Sequence, residues 1–375
     1  MKKRFISLVA AAALVGGIAS VATPAANAGT VAVKGDTAVN MYGFIRFEAG
    51  YAKDMASSIY HNVPVDTDSD DEHYETNANI TRVGLTFNNA DANVGGRIEG
   101  DFWGGKFRLR RAYIKQTFDN FYLLAGQEWG LENDAIRTFS AAWESPAGFN
   151  GAARMPQIQL GGTFDLSGAS VTAKLAFEDA NYTESSVVQK KRFPAIAAYL
   201  ATDIDTGFGK PAEVFGYGIA APLKIKVGND TDDKTAYGFA VGATVPVSMV
   251  TLQGEYLYGK GMNKLAGVDV DGMTPPSYFE GDAQKFYAWN AEAKINPMSC
   301  LSVAAGYDYL KFKDYNGYKM YTAFANISYK TTKYTTLTLE WDHAKIKDRK
   351  NGYTIAEDSK DVDGDRYFFS YVYKF

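Results

Sequence analysis

Residues 364–375, at the C-terminal end of the chain, read GDRYFFSYVYKF. Aromatic residues occupy every second position from Tyr367 to Phe375, and the positions between them include Arg366 and Lys374. Because successive side chains of a strand point to opposite faces, the segment presents one aromatic face and one mostly polar face. We interpret it as the last strand of a membrane barrel, which turns such an aromatic face toward lipid. The alternative is an amphipathic strand that ends a β-sandwich.

The N-terminal end predicts export from the cytoplasm. Basic residues at positions 2–4 precede an apolar run over 5–22, and Ala26-Asn27-Ala28 has the small-x-small form of a signal-peptidase site. We therefore expect residues 1–28 to be a cleaved signal peptide, 29–37 a short periplasmic segment and 38–375 the barrel. No other stretch is apolar and long enough for a spanning helix, and a closed barrel also satisfies every backbone hydrogen bond within a membrane.

The composition fits a membrane barrel and excludes one class of partner. The chain has 25 Tyr, 23 Phe and 36 Gly but one Cys, and its mean hydropathy is -0.24. Only every second residue of a barrel strand faces lipid, so low overall hydropathy is expected. Without the leader, 36 basic residues stand against 43 acidic ones. This acidic balance argues against nucleic-acid binding, which needs a basic footprint.

Alternation of apolar and polar residues predicts sixteen strands, and hence an all-β, transmembrane antiparallel β-barrel with both termini in the periplasm. The predicted strands are 38–52, 79–88, 93–104, 106–117, 120–129, 153–164, 168–179, 192–203, 211–222, 235–246, 248–259, 283–296, 299–311, 318–331, 334–346 and 364–375. Tight turns such as Asp119-Asn120 alternate with mostly longer loops. The predicted loops are 53–76, 130–152, 180–190, 223–234, 260–282 and 347–363. Short periplasmic turns and long extracellular loops are typical of bacterial barrels.

Charged residues on the predicted inner face are divided between two walls. Residues 46–154 contain eight Arg and three Lys, whereas the rest of the chain to the C-terminus contains three Arg and 21 Lys. The residues in phase with the polar face of the first four strands are Arg46, Glu48, Arg82, Arg97, Glu99, Asp101, Arg108 and Arg110. The opposite wall is predicted to be acidic, through Glu255, Glu292, Asp308, Glu340 and Asp342.

This asymmetry predicts a transverse field across the lumen. Rows of Arg mark pores that pass anions, and acidic rows mark pores that pass cations. The guanidinium group also presents a fixed planar fork to carboxylates and phosphates. The alternative is that these Arg residues form ion pairs with Glu99 and Asp101 that stiffen the wall. Arg111 is out of phase with Arg108 and is expected to face outward or toward a neighbouring subunit.

The loop at 130–152 is the predicted constriction loop. Its charged residues are Glu132, Asp134, Arg137 and Glu144. The strand predicted at 235–246 has Gly238, Ala240 and Gly242 on its inner face, and these small side chains would leave room for an inserted segment. We expect insertion into the barrel, and the alternative is a lid over its mouth.

Several motifs in the first half of the chain resemble the DcaP-like family of outer-membrane porins. They are Arg97-Ile98-Glu99-Gly100-Asp101-Phe102, Phe107-Arg108-Leu109-Arg110-Arg111-Ala112-Tyr113 and Leu124-Ala125-Gly126-Gln127-Glu128-Trp129, with Tyr42-Gly43-Phe44-Ile45-Arg46 and Arg154-Met155-Pro156-Gln157 as further segments. The resemblance covers about residues 40–160, and the later strands fit only in pattern.

The resemblance implies a homotrimeric sixteen-stranded channel that takes up small organic anions such as dicarboxylates. The basic constriction of the family would fall on Arg46, Arg82, Arg97, Arg108, Arg110 and Arg154. Some members carry a periplasmic coiled coil before the barrel, and the segment 29–37 is too short for one.

The partners expected from these features are those of an outer-membrane protein. They are outer-membrane lipid and lipopolysaccharide, small anionic solutes, the barrel assembly machinery through the strand ending at Phe375, and two further copies of the chain. The outward residues Phe121, Leu123 and Ala125 are expected to pack between subunits.

Other functions find less support in the residues. A hydrolase would need a histidine near a serine, but His61 and His73 lie in a predicted loop and His343 is in phase with the lipid face. The acidic run at 66–72 lacks the glycine and the final bidentate glutamate of a calcium loop. We therefore predict no catalytic residues, metal or cofactor. The alternatives that stay open are a non-selective or weakly cation-preferring diffusion porin and a structural or adhesive barrel.

Overall fold

A computed structural model describes residues 29–55, 72–141, 153–166, 169–183, 188–227, 229–266, 277–279, 281–313, 319–349 and 360–375. The strands in these ranges are β1 (Gly29–Lys34), β2 (Thr37–Lys53), β3 (Glu72–Asn77), β4 (Arg82–Asn89), β5 (Val94–Asp101), β6 (Arg108–Phe118), β7 (Phe121–Trp129), β8 (Arg154–Leu166), β9 (Ala169–Glu178), β10 (Val188–Lys191), β11 (Ala195–Ile204), β12 (Ala212–Val227), β13 (Asp230–Val247), β14 (Val250–Lys260), β15 (Tyr278–Phe279), β16 (Asp282–Ala283), β17 (Lys285–Met298), β18 (Leu301–Phe312), β19 (Lys319–Lys330), β20 (Thr335–Arg349) and β21 (Lys360–Lys374). One helical turn, α1 (Glu132–Ala135), and two 3-10 turns, Trp103–Gly105 and Asn263–Ala266, complete the elements. Within the described ranges, no helix is long and apolar enough to cross a bilayer.

The strands form a closed antiparallel barrel of sixteen positions, which confirms the predicted fold class. Closure comes from pairing of β2 with β21, from Phe44 opposite Lys374 to Lys53 opposite Asp365. Two of the sixteen positions are each occupied by two short strands in succession. β3 and β4 both pair with β2, and β10 and β11 both pair with β12. We call the two ends of the barrel the short-turn end, where β6 meets β7 at Asp119-Asn120, and the long-loop end.

The outer face is apolar and aromatic. In β21 the side chains of Tyr367, Tyr371 and Tyr373 are 56%, 43% and 43% exposed, whereas Arg366 and Ser370 point inward and are buried. Neighbouring outer aromatic rings contact one another across β13, β14, β17, β18 and β19, as between Phe239 and Tyr258 and between Trp289 and Tyr307. Such aromatic bands are typical of barrels that span a membrane.

Several segments predicted as irregular are strands, including β3 in the predicted loop 53–76, β10 at 180–190 and β15 at 260–282. Pairing of β12 with β13 continues to Val227 opposite Asp230, so most of the loop predicted at 223–234 is a hairpin. The inward residues Leu223 and Ile225 are buried in the barrel, and this burial outweighs the polar composition of the segment. Residues 29–34, predicted as part of a short tail, form β1 and pair with the start of β2. The predicted signal peptide, residues 1–28, lies outside the described residues.

A β-bulge places Arg111 inside the barrel, so the expectation that Arg111 faces outward is wrong. Gly100 pairs with Leu109 and Glu99 pairs with Arg111, which leaves Arg110 as an extra residue in β6. An extra residue reverses the alternation of the strand beyond it. Arg110 and Arg111 therefore both point inward.

The inner face of β11 to β20 is partly a packed core near the long-loop end. Its fully buried apolar residues include Ile225, Leu257, Phe286, Leu310 and Ile346. Leu131 and Leu265, from the loops that follow β7 and β14, belong to the same cluster. Burial of this apolar surface holds both loops inside the barrel mouth. These side chains and loops therefore fill part of the barrel interior beside β11 to β20.

Candidate functional site: an arginine-lined constriction

Six arginines lie on the inner face of β2, β4, β5 and β6, and a seventh, at the first position of β8, lies near them. We call this set the basic wall; it consists of Arg46, Arg82, Arg97, Arg108, Arg110, Arg111 and Arg154. The carboxylates on the same wall are Glu48, Glu99, Asp101 and Glu128, which are buried. Arginines outnumber carboxylates on this wall.

Two of the arginines are bound tightly to carboxylates. Arg108 donates from Nε and Nη2 to Asp101, at 3.0 and 2.8 Å. Arg110 is fully buried and bonds to Glu99 at 3.2 Å and to Asp101 at 2.5 Å. These paired groups fit the alternative interpretation, in which Arg residues stiffen the wall.

Three further arginines each form an ion pair with a nearby carboxylate, and Arg111 also lies 4.0 Å from Glu99. Arg46 pairs with Glu48 at 2.7 Å, and Arg111 pairs with Glu128 at 2.5 Å. Arg82 lies 3.5 Å from Glu99 and stacks on the ring of Phe44. Their charges are largely offset by these neighbours.

All seven arginines stack on aromatic rings, but Arg97 and Arg154 differ from the other five in having no ion pair with a described carboxylate. The Arg97 guanidinium lies 5.0 Å from the centre of the Tyr42 ring, and that of Arg154 lies 4.7 Å from a Trp129 ring. Within the described ranges, neither lies within ion-pair distance of a carboxylate. A ring face holds a guanidinium in place but leaves its N–H edge able to donate to an anion. These two residues are part of the excess positive charge of the basic wall, which has seven arginines against four carboxylates.

The described part of the loop after β7 runs along the inner wall of the barrel; we call residues 130–141 the inserted loop. Its backbone amides at Arg137, Phe139 and Ala141 donate in turn to Glu255, Glu292 and Glu340. The amides of Asn290 and Asn326 donate back to the carbonyl oxygens of residues 137 and 139, at 3.0 and 2.9 Å. An extended segment can satisfy every second amide in this way because its N–H groups alternate in direction.

Both ends of the extended stretch 137–141 of the inserted loop are fixed as well. Arg137 bonds to Glu213 through both Nη atoms, at 3.0 and 2.7 Å, and to the hydroxyl of Tyr199 at 2.9 Å. At its far end, Nη2 of Arg46 donates to the carbonyl oxygen of Ala141 at 3.0 Å. The described part of the loop therefore crosses from β12 to β2.

The base of the inserted loop is buried around α1. Glu132 accepts a hydrogen bond from the amide of Ala153 at 2.7 Å, and Glu178 accepts one from the amide of Leu131 at 2.8 Å. Burial raises the pKa of the Glu132 carboxyl well above its usual range, and the nearby Glu178 adds to the rise. Asp134 forms an ion pair with Lys174 at 2.9 Å. Glu144 lies outside the described residues.

The predicted acidic wall faces this loop rather than open lumen. Glu255, Glu292 and Glu340 bond to its backbone, and Asp342 pairs with Arg366 at 2.9 Å. Asp308 is fully buried in the same wall. The sequence located these carboxylates on the inner face correctly, but their contacts make them anchors of the loop.

The small residues predicted to make room for the inserted loop accommodate other groups. A Cβ atom at Gly238 would lie 2.5 Å from Leu265, and one at Gly242 would lie 2.5 Å from the Phe215 ring. The first space is filled by the loop after β14 and the second by a neighbouring strand. The inserted loop still lies beside this strand, because α1 contacts β13 as well as β11 and β12.

Sequence reasoning missed several side chains of the site. Tyr42 donates to Glu99 at 2.8 Å, and Trp129 carries the stacked Arg154. Glu213 holds the inserted loop through Arg137. Tyr42 and Glu213 lie in phase with the inner face of their strands, and that phase is the signal that would have identified them. Trp129 is in phase with outward Leu123, so alternation gives no such signal for it. Across the described ranges, no group of three or more His, Cys, Asp or Glu side chains is arranged to hold a metal ion.

Several solved structures of outer-membrane proteins share this fold. The outer membrane channel DcaP of Acinetobacter baumannii is 24% identical, with a TM-score of 0.74 over 92% of this chain and 99% of that one. An anion-selective porin from Comamonas acidovorans is 15% identical, with a TM-score of 0.60 over 90% and 100% of the two chains. OmpF of Salmonella typhi is 14% identical, with a TM-score of 0.59 over 91% and 98%.

Comparisons of sequence add no further relative. No protein-family model matches the chain, and no curated protein matches it. The structural likeness confirms the fold that the sequence resemblance implied.

Proposed function

We propose that this chain is a porin of the bacterial outer membrane, through which small organic anions such as dicarboxylates diffuse. The observation that carries the proposal is the pair of arginines without a described ion pair, Arg97 and Arg154, together with an inserted loop that covers the acidic wall. Anions approaching the basic wall meet guanidinium groups whose charge no described carboxylate offsets, and a carboxylate can accept bidentate hydrogen bonds from such groups.

Membrane location is supported by three independent features. The predicted signal peptide directs export, the outer face carries aromatic bands, and the fold is shared with outer-membrane channels. In this setting the short-turn end lies in the periplasm, with both termini, and the long-loop end faces outward. The last strand, which ends at Phe375, is the segment offered to the assembly machinery.

Ion selectivity tests the proposal directly. We expect the purified protein, in a planar bilayer under a potassium chloride gradient, to show a reversal potential that indicates anion preference. The uncompensated arginines set this preference at the constriction, because charges on outer loops are screened beyond about 8 Å at physiological ionic strength. A reversal potential of the cation-preferring sign, or none, would contradict anion selectivity and favour a general diffusion pore.

We also propose that the porin is a trimer. Exposed apolar residues on the outer face of β6, β7 and β8 form a candidate contact surface; they are Leu109, Ile114, Phe121, Leu123, Ile158 and Leu160. Closed symmetric oligomers are the usual outcome for such self-complementary surfaces. Analytical ultracentrifugation in detergent is expected to give three copies per particle, and a purely monomeric species would exclude this assembly.

A further inference from the structure

A second group of positive charges lies at the short-turn end of the lumen, beyond the inserted loop. Lys294, Lys330 and Lys374 are all in phase with the inner face of their strands, β17, β19 and β21. Lys294 is two residues closer to the short-turn end than Glu292, which anchors the loop. Lys330 and Lys374 are the last residues of their strands. We call these three residues the lysine cluster.

The lysine cluster has no acidic counterpart in the part of the chain that the structure describes. The Lys294 ammonium lies 5.6 Å from the centre of the Phe139 ring, on the inserted loop. Lys330 lies close enough to Lys294 and to Lys374 to repel both charges, and Arg46 also repels Lys374. None of the three amines lies within ion-pair distance of a described carboxylate. Three like charges held together in this way attract a counter-ion.

Strand register connects the lysine cluster to the basic wall. Phe44 pairs with Lys374 on one side and with Arg82 on the other. Adjacent strands are about 4.8 Å apart. The backbones of Lys374 and Arg82, which share a register position with Phe44, are therefore about 10 Å apart. Arg82 in turn lies beside Arg110. Because the strands of a barrel are tilted, this row of basic residues descends toward the short-turn end as it passes around the wall.

We propose that Lys294, Lys330 and Lys374 form a second anion subsite, which receives small oxyanions as they leave the arginine constriction toward the periplasm. The proposal rests on the proposed function of the chain as an anion-conducting pore. An ammonium group is a compact charge without a planar fork, so this subsite accepts carboxylates and phosphate alike. Conduction needs several weak sites in succession, and a less specific site after the selective one satisfies that need.

The test compares anion entry from the two ends of the pore. Single channels of K330Q/K374Q are recorded in planar bilayers, with succinate or inorganic phosphate added to one side and the rate of current interruption measured. We expect the rate for entry from the short-turn end to fall about fivefold, because two charges about 8 Å from an ion in water together contribute about 1 kcal/mol. Entry from the long-loop end should change little, because the arginine constriction is intact.

A matched control removes two exposed lysines instead. K210Q/K226Q carries the same change in net charge, and both of these side chains are exposed. If K330Q/K374Q and K210Q/K226Q give equal entry rates, the lysine cluster is not a subsite. Slower entry of both succinate and phosphate indicates an oxyanion site, and slower entry of succinate alone indicates a carboxylate site.

Two further measurements keep the outcome decisive. K294Q leaves the last strand unchanged, so it tests the same cluster if K330Q/K374Q does not assemble. The reversal potential of the parent channel tests the proposed function separately. A parent without anion preference would refute the anion-selective pore, whereas an anion-preferring parent whose lysine variants behave as the control would refute only the subsite.

Discussion

The double substitution E292A/E340A is expected to release the inserted loop from the wall and raise the single-channel conductance. These two carboxylates accept hydrogen bonds from the amides of Phe139 and Ala141 and from the hydroxyl of Ser140. Hydrogen bonds to charged groups contribute about 1.5 to 3 kcal/mol each, so loop docking should weaken by about 5 kcal/mol in total. Planar-bilayer recordings and the uptake of larger sugars into proteoliposomes both measure the resulting pore size.

The matched control for loop release is D308N. Asp308 is buried in the same acidic wall and accepts no hydrogen bond from the described part of the inserted loop. This substitution should leave conductance at the parent value, provided that both variants show the folded, heat-modifiable band on a gel. If E292A/E340A and the parent have equal conductance, the contacts around α1 are enough to hold the inserted loop in place.

Replacement of Arg97 and Arg154 should change ion selectivity more than replacement of any other pair of arginines in the basic wall. R97A/R154A removes the charges that no described carboxylate offsets. A unit charge about 4 Å from an ion in water contributes about 1 kcal/mol, so loss of both, about 2 kcal/mol, should lower the anion-to-cation permeability ratio about thirtyfold. Reversal potentials in a salt gradient give this ratio directly.

The control for selectivity is K191A/R192A, which removes two positive charges from exposed ion pairs with Asp179 and Asp233. Its permeability ratio should equal that of the parent. Arg110 is kept in both variants because Glu99 and Asp101 bond to it, and its removal would strand buried carboxylates. If R97A/R154A retains the parent ratio, the two arginines serve only to pack against Tyr42 and Trp129.

Local alternation in the sequence was sufficient to locate most of the barrel strands and most of their faces. The period of two is a property of each strand by itself, and it assigned Tyr367 and Tyr371 to the outer face and Glu292 and Glu340 to the inner face. It failed at 223–234, where polar residues alternate with buried Leu223 and Ile225, because composition concealed the period.

The partners of the inner charges could not be predicted in the same way. Whether an arginine is offset by a carboxylate depends on register between strands: Arg110 meets Glu99 and Asp101, whereas Arg97 meets the Tyr42 ring. Register is a contact between segments distant in sequence, and no single strand encodes it.

The sequence by itself therefore determined a sixteen-stranded barrel with a basic and an acidic set of inner residues, because strand period and turn chemistry are local. Only the tertiary structure decided which partners those inner residues contact. One extra residue in β6 turned Arg111 inward, and the amides of a loop distant from β17 and β20 occupied their carboxylates. A bulge and a loop path arise from the pairing and burial of segments far apart in the chain, and such long-range contacts leave no periodic signal in the sequence.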